Sequence, residues 1–246
     1  MNDTFVTPHK RSIAYHLTEG TGPMIVFLSG FKSDMNGTKA VFLENWAKKS
    51  GHAFLRFDYS GHGKSSGNFE DGCIGDWFDD TTAMLDLIAK PVVLVGSSMG
   101  GWISLQIAQA MEWHVVGLVT IAAAPDFTED GFWAGFDDAQ KAELEAEGRV
   151  VVPSEYGDPY IITKRLIEEG RERCVLRKPL SLPFAVRFLQ GTADTYVRTT
   201  TALKLFEHAD GTDMRLTLVD KADHSFSDSA CLELIVASIK EVLAAR

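Results

Sequence analysis

The chain has 246 residues, 45% of them hydrophobic and 24% charged, which excludes a disordered or low-complexity chain and suits one globular domain. Lys and Arg number 24 against 34 Asp and Glu, a formal charge of −10 without a basic stripe. A surface of this sign repels nucleic acid and disfavours anionic membrane surfaces, and neither nucleic acid nor membrane insertion is expected. Cys73, Cys174 and Cys231 are odd in number and far apart; they fit neither a disulfide framework nor a zinc pattern and point to a reducing compartment.

In chain order, the first expected element is an antiparallel edge hairpin at roughly 4–7 and 11–17. The segment MNDTFVTPHKRSIAYH has no apolar signal-peptide core, and the expected location is cytoplasmic. Strands follow at 24–28, 53–57, 92–95, 115–121, 185–189 and 214–219, each a short apolar or β-branched run. Helical periodicity fills 38–50, 76–89, 99–111, 198–208 and 228–245, and Asn36-Gly37 is a turn with Thr38 as the expected N-cap. Continuously apolar strands alternating with helices predict a mostly parallel, doubly wound α/β sheet covered on both faces. The longest charge-free stretch, 91–111, is broken by Gly-Ser-Ser and Gly-Gly and is a core segment rather than a membrane span.

The rhythm breaks once, between the strands at 115–121 and 185–189. Residues of approximately 126–182 hold an acidic helix near 137–147, a Val-Val-Val run, the turn Pro153-Ser154-Glu155-Tyr156 and a second helix near 159–170. Phe127, Trp133, Phe136, Tyr156 and Tyr160 concentrate there. This is expected to be a helical cap inserted into a single domain of 1–246, lying over the C-terminal sheet edge where open α/β sheets bind ligands.

Two segments match G-x-S-x-G: Gly63–Gly67 and Gly96–Gly100. Ser65 is followed by a polar run and reads as a loop serine. Ser98 follows a strand and opens a helix, the strand–turn–helix context of a nucleophile elbow. A serine hydroxyl needs a neighbouring base to take its proton. Of seven histidines only His114, His208 and His224 follow Ser98; His224 sits in a loop just past a strand and is the expected base. The acid that orients it is expected at Asp194, after the strand at 185–189, with Asp126 as the rival. The oxyanion donors are expected to be the backbone N–H groups of Met99 and Phe31, the latter in the Ser29-Gly30-Phe31 loop. Met35, Trp102, Phe127, Trp133 and Tyr160 are candidate substrate-binding residues. No metal, P-loop or dinucleotide motif is present, so no cofactor is inferred. Asp58 and His62, in Asp58-Tyr59-Ser60-Gly61-His62-Gly63, tempt a metal reading, but a hydrogen-bonded turn is the better reading of Asp58.

These residues resemble the α/β-hydrolase superfamily over essentially the whole chain. The runs Met35–Ala40, Arg56–Gly61 and Val95–Trp102, with the Pro153–Tyr156 turn, are similar to a branch containing mitochondrial palmitoyl-protein thioesterases and acyl-glucuronide esterases. The resemblance implies a serine hydrolase acting on small-molecule or acylated ester and thioester substrates, with Ser98, Asp194 and His224 at the matching motif positions. A carbon–carbon bond hydrolase or perhydrolase with the same triad, and a non-catalytic ligand-binding protein, are the alternatives.

Overall fold

The computed structural model describes residues 3–111, 114–153 and 159–245. The chain opens with β1 (Asp3–Val6) and β2 (Ser12–Thr18), an antiparallel pair. It continues through β3 (Thr21–Leu28), α1 (Thr38–Ser50), β4 (His52–Phe57), α2 (Ile74–Ile88), β5 (Val92–Ser97), α3 (Met99–Ala110) and β6 (Val115–Ile121). A π-helical turn at Phe127–Trp133, α4 (Asp138–Glu147), β7 (Arg149–Val152), β8 (Tyr160–Thr163) and α5 (Lys164–Glu172) come next. The remainder is β9 (Leu180–Ser181), β10 (Val186–Gly191), α6 (Thr199–His208), β11 (Ala209–Asp210), β12 (Met214–Val219) and α7 (Ser229–Ala244).

Eight strands form one sheet in the order β1-β2-β4-β3-β5-β6-β10-β12. From β4 to β12 every neighbour is parallel; β1 and β2 add an antiparallel edge. Side chains of a strand alternate between faces, and here both faces are dry. Met24, Val26 and Leu28 of β3, with Val92 and Leu94 of β5, join the core beneath α2 and α3. Ile25 and Phe27, with Val93 and Val95, join the core beneath α1 and α7. That double burial is why these strands read as unbroken apolar runs.

Two local expectations need correction. Gly37, not Thr38, caps α1: the Gly37 carbonyl accepts the Val41 N–H at 3.1 Å, and Thr38 is already helical. The helix expected from 159 starts only at Lys164. Tyr160–Thr163 is instead a strand, paired antiparallel with Arg149–Val152, because its aromatic and β-branched residues suit an extended ribbon. Thr163 then caps α5 by accepting the Leu166 N–H. The turn expected at Ser154–Tyr156 lies outside the described residues.

Residues between β6 and β10 cover one end of α2 and α3. Phe136, Leu144, Val150, Ile162, Leu166 and Ile167 are buried in the same core as α2 and α3. Asp126 joins the two ends of this cap. It is fully buried, and its carboxylate accepts the N–H groups of Val175 and Leu176 and is paired with Arg177.

Candidate active site

Parallel strands β5, β10 and β12 end on the same side of the sheet, and the loops that leave them carry Ser98, Asp194 and His224. Ser98 adopts φ 54° and ψ −117°, a strained conformation for a residue with a side chain. The strain turns β5 directly into α3 and leaves Ser98 only half-buried. Neighbouring glycines make the turn sterically possible. A Cβ on Gly96 would meet Ser104 Oγ at 2.3 Å and Gly100 O at 2.4 Å; one on Gly100 would meet Leu28 O at 2.0 Å.

His224 Nε2 lies 3.1 Å from Ser98 Oγ, and its Nδ1 lies 2.8 Å from Asp194 Oδ2. An ionised carboxylate only accepts, so Nδ1 carries the proton and Nε2 faces the serine hydroxyl as an acceptor. The Asp194 side chain is fully buried. Its Oδ1 accepts the Tyr196 and Val197 N–H groups at 2.9 and 2.8 Å, and Oδ2 also accepts from Gln190 Nε2 at 3.2 Å. The same residue therefore closes its turn with one oxygen and holds the imidazole with the other. Tyr196 stands against the imidazole, with ring centroids 5.4 Å apart. Asp126, the rival acid, spends its carboxylate on Val175, Leu176 and Arg177, not on His224.

The Ser29–Lys32 loop runs past the nucleophile. A Cβ on Gly30 would lie 3.3 Å from Ser98 Cβ and 3.9 Å from its Oγ, so backbone and nucleophile share one space. Phe31 N–H and Met99 N–H donate to no other group among the described residues. Asp58 accepts the Met35 N–H at 2.6 Å and the Lys64 N–H at 2.8 Å. Those bonds match the turn role expected from sequence; burial pushes this carboxyl up from its ordinary value. Ser65 Oγ donates to Asp58 O, which fixes it as a loop serine. Among the described residues no group of three His, Cys, Asp or Glu side chains is placed to hold a metal ion.

A cavity of about 990 Å³ opens above Ser98 and His224. Phe31, Phe127, Phe132, Val152, Pro153 and Tyr160 give it an apolar wall; Ser33, Asp34, Thr38, Lys39 and Ser225 give it a polar one. Phe31 is the hub of the apolar wall, with ring centroids of Phe69, Phe127, Tyr160 and Phe132 within 4.8–6.0 Å. Of the five candidate substrate-binding residues, Phe127 and Tyr160 line this cavity, and Met35, Trp102 and Trp133 are not among its lining residues. Met35 is fully buried below the loop, its N–H bound by Asp58 and its carbonyl by Arg56. Trp102 is also fully buried, edge-on to Phe127, with its Nε1 donating to Arg173 O. Trp133 faces the cations of Lys141 and Arg171 instead of the cavity. Gln190, Tyr196 and Phe132 belong to the site but carry no sequence signal beyond their place beside Asp194 and in the cap. Burial lowers Lys39 on the polar wall to about 8; its Nζ donates to Ser225 O at 2.5 Å.

Sheet order, strand-end serine and apolar cap together define a hydrolase of the α/β type. The alpha/beta hydrolase family pattern matches residues 25–237, and the chain belongs to that family. It is 36% identical over 239 residues to a rat mitochondrial palmitoyl-protein thioesterase, ABHD10, covering 96% of this chain and 80% of the relative. A putative hydrolase from Agrobacterium vitis S4 superposes with a TM-score of 0.95 at 37% identity, covering 99% and 98% of the two chains. The mouse alpha/beta hydrolase domain-containing protein 10 superposes with a TM-score of 0.91 at 32% identity, over 99% and 98%.

Proposed function

We propose that this protein is a serine hydrolase that cleaves carboxylic ester or thioester bonds through an acyl-enzyme. The observation that carries the reading is the run of contacts from Ser98 Oγ to His224 at 3.1 Å and from His224 to Asp194 at 2.8 Å, on the floor of a cavity with an apolar wall. Ser98 Oγ attacks the acyl carbon as its proton passes to His224 Nε2. Asp194 holds the tautomer that receives this proton and stabilises the imidazolium. Phe31 and Met99 N–H donate to the oxyanion, where each such donor is worth about 2.7–4 kcal/mol. His224 returns the proton to the departing alcohol or thiol. Water then repeats the attack with His224 as base, and the free acid leaves.

The acyl group belongs against Phe31, Phe127, Phe132 and Tyr160, where apolar burial stabilises it by about 25 cal/mol per Å². The rat relative's name specifies palmitoyl-protein thioester cleavage, and S-acyl peptides are the first natural substrates to test. Turnover of p-nitrophenyl esters from acetate to palmitate, with Ser98→Ala as control, tests the mechanism. We expect Ser98-dependent hydrolysis; equal rates in wild type and Ser98→Ala would overturn the assignment.

The compartment we propose is a reducing one, read as the cytoplasm. Cys73, Cys174 and Cys231 are buried free thiols, a form that reducing surroundings preserve, and this supports the reducing compartment without itself singling out the cytoplasm. Among the described residues no helix is long and apolar enough to cross a membrane. Mitochondrial localisation of a tagged chain would overturn the cytoplasmic reading.

A further inference from the structure

The segment Asp58–His62, left outside the triad, grips the loop that faces Ser98 from two sides. Tyr59 OH donates to Ser29 O at 3.4 Å, and Lys32 N–H donates to His62 Nε2 at 3.3 Å. His62 Nδ1 lies 3.1 Å from Ser60 O. A carbonyl only accepts and a backbone N–H only donates, so these two partners fix one neutral tautomer, with its proton on Nδ1. The ring is 4% exposed, and Tyr59, Phe69 and Trp77 meet it edge to face at 5.1–5.6 Å. Phe69 and Trp77 also flank Phe31, at 4.8 and 5.9 Å. The aromatic group that fixes the imidazole is therefore the one that fixes the side chain of the oxyanion-loop residue.

Lys32 itself sits at φ +57°, an uncommon conformation for a residue with a side chain. Ser33 N–H donates back to Gly30 O at 3.2 Å, closing a turn around Phe31. The only side chain that holds a peptide N–H of this turn among the described residues is that of His62.

We propose that His62 is a positioning residue for hydrolysis: by accepting the Lys32 N–H it holds the Gly30–Lys32 backbone in the turn that presents Phe31 N–H to the oxyanion. The inference rests on the serine-hydrolase reading above. His62 touches no substrate and moves no proton in the reaction; it acts through Lys32. A displacement of about 1 Å in a positioning element costs on the order of 100-fold in rate, and this is the scale expected here.

The test compares wild type, His62→Leu and His62→Gln as full chains. Leu removes the acceptor at similar volume, whereas Gln restores an acceptor for Lys32 and a donor for Ser60. With p-nitrophenyl butyrate, His62→Leu should lose about 100-fold in kcat with KM within about threefold. An alkyl boronic acid, which binds as a tetrahedral anion on the serine, should lose affinity by a comparable factor. His62→Gln should recover most of both. An unchanged kcat in His62→Leu, or equal losses in Leu and Gln, overturns the inference. If His62→Leu does not fold, the wild-type Lys32 amide decides: slow hydrogen exchange supports the bond, and exchange at the rate of a free loop overturns it. Absence of Ser98-dependent turnover in wild type sinks the hydrolase reading and this inference together. Turnover in wild type with a fully active His62→Leu sinks this inference alone.

Discussion

Gly100→Ala adds one methyl group behind the nucleophile, where the structure leaves no room for it. The new Cβ would lie 2.0 Å from Leu28 O, 2.5 Å from Leu28 C and 2.6 Å from Ser29 O. A carbon and a carbonyl oxygen approach comfortably to about 3.3 Å, so one side must retreat by about 1.3 Å. Neither side is a flexible side chain. One is the end of β3 leading into the Ser29–Lys32 loop; the other is the first turn of α3, which holds Ser98 and Met99. Overpacking typically costs about 1–3 kcal/mol of stability. Because only backbone can give way here, the cost falls at or above the upper end of that range, which a domain of ordinary stability still survives. The larger effect falls on the geometry between Ser98 and the loop opposite it. Losing one oxyanion donor there removes about 2.7–4 kcal/mol from transition-state binding, or 100-fold or more in kcat. The expected result is therefore a folded variant with a clearly lower urea midpoint, KM nearly unchanged and kcat down by about 100-fold. Steady-state hydrolysis of a p-nitrophenyl ester and urea unfolding measure the two effects separately. A folded Gly100→Ala with kcat within threefold of wild type would refute the argument that elbow and loop are packed in register.

Asp194→Asn should keep the turn, because an amide oxygen still accepts from Tyr196 and Val197, yet present an N–H to His224 Nδ1. We expect kcat to drop by about 10⁴-fold, since the wrong tautomer then faces Ser98, with a melting temperature lowered only by the lost bond from Gln190 Nε2 to Oδ2. Asp126→Ala strands the buried N–H groups of Val175 and Leu176. At about 1–3 kcal/mol for each, urea unfolding should show a loss of at least about 2 kcal/mol, and a loss below 0.5 would contradict the anchoring role. Burial lowers His62 from 6.5 to about 4, so between those values the unfolded chain binds the extra proton. Stability then rises with pH through this window; the contribution, about 3 kcal/mol, is complete above pH 6.5 and lost as pH falls through 4. Urea unfolding across that range should show a flatter pH slope in His62→Gln than in wild type, and parallel slopes would refute this.

The central strands were legible because they are buried on both faces and so read as apolar runs, as in Val92–Val95. The edge strand Met214–Val219 is only partly buried and was legible from its alternating β-branched and apolar residues. Ser98, Asp194 and His224 were legible because topology delivers them: each lies a few residues past a parallel strand. The cap was less readable. Tyr160–Thr163 runs straight into Lys164–Glu172, and a short apolar run beside a helix cannot be told from its first turn by periodicity. The π-helical turn at Phe127–Trp133 follows a spacing that a 3.6-residue pattern does not reveal. Met35 shows why proximity in sequence misleads: four residues beyond Phe31, it has been turned into the core by Asp58 and Arg56. Gln190 and Tyr196 gain their roles only from the tertiary arrangement around Asp194.

The buried carboxylate of Asp126 ties the first residue of the cap to Val175–Arg177 at its far end. From the standpoint of the sheet, everything between is a loop whose two feet stand on one side chain. Closing such a loop depends weakly on its length, each doubling adding only about 0.6 kcal/mol. A longer or shorter roof can therefore hang from the same clasp, provided it still supplies the apolar side chains that Phe136, Leu144, Val150, Ile162, Leu166 and Ile167 now bury in the core of α2 and α3. The clasp thus uncouples the length of the roof from the closure of the sheet beneath it.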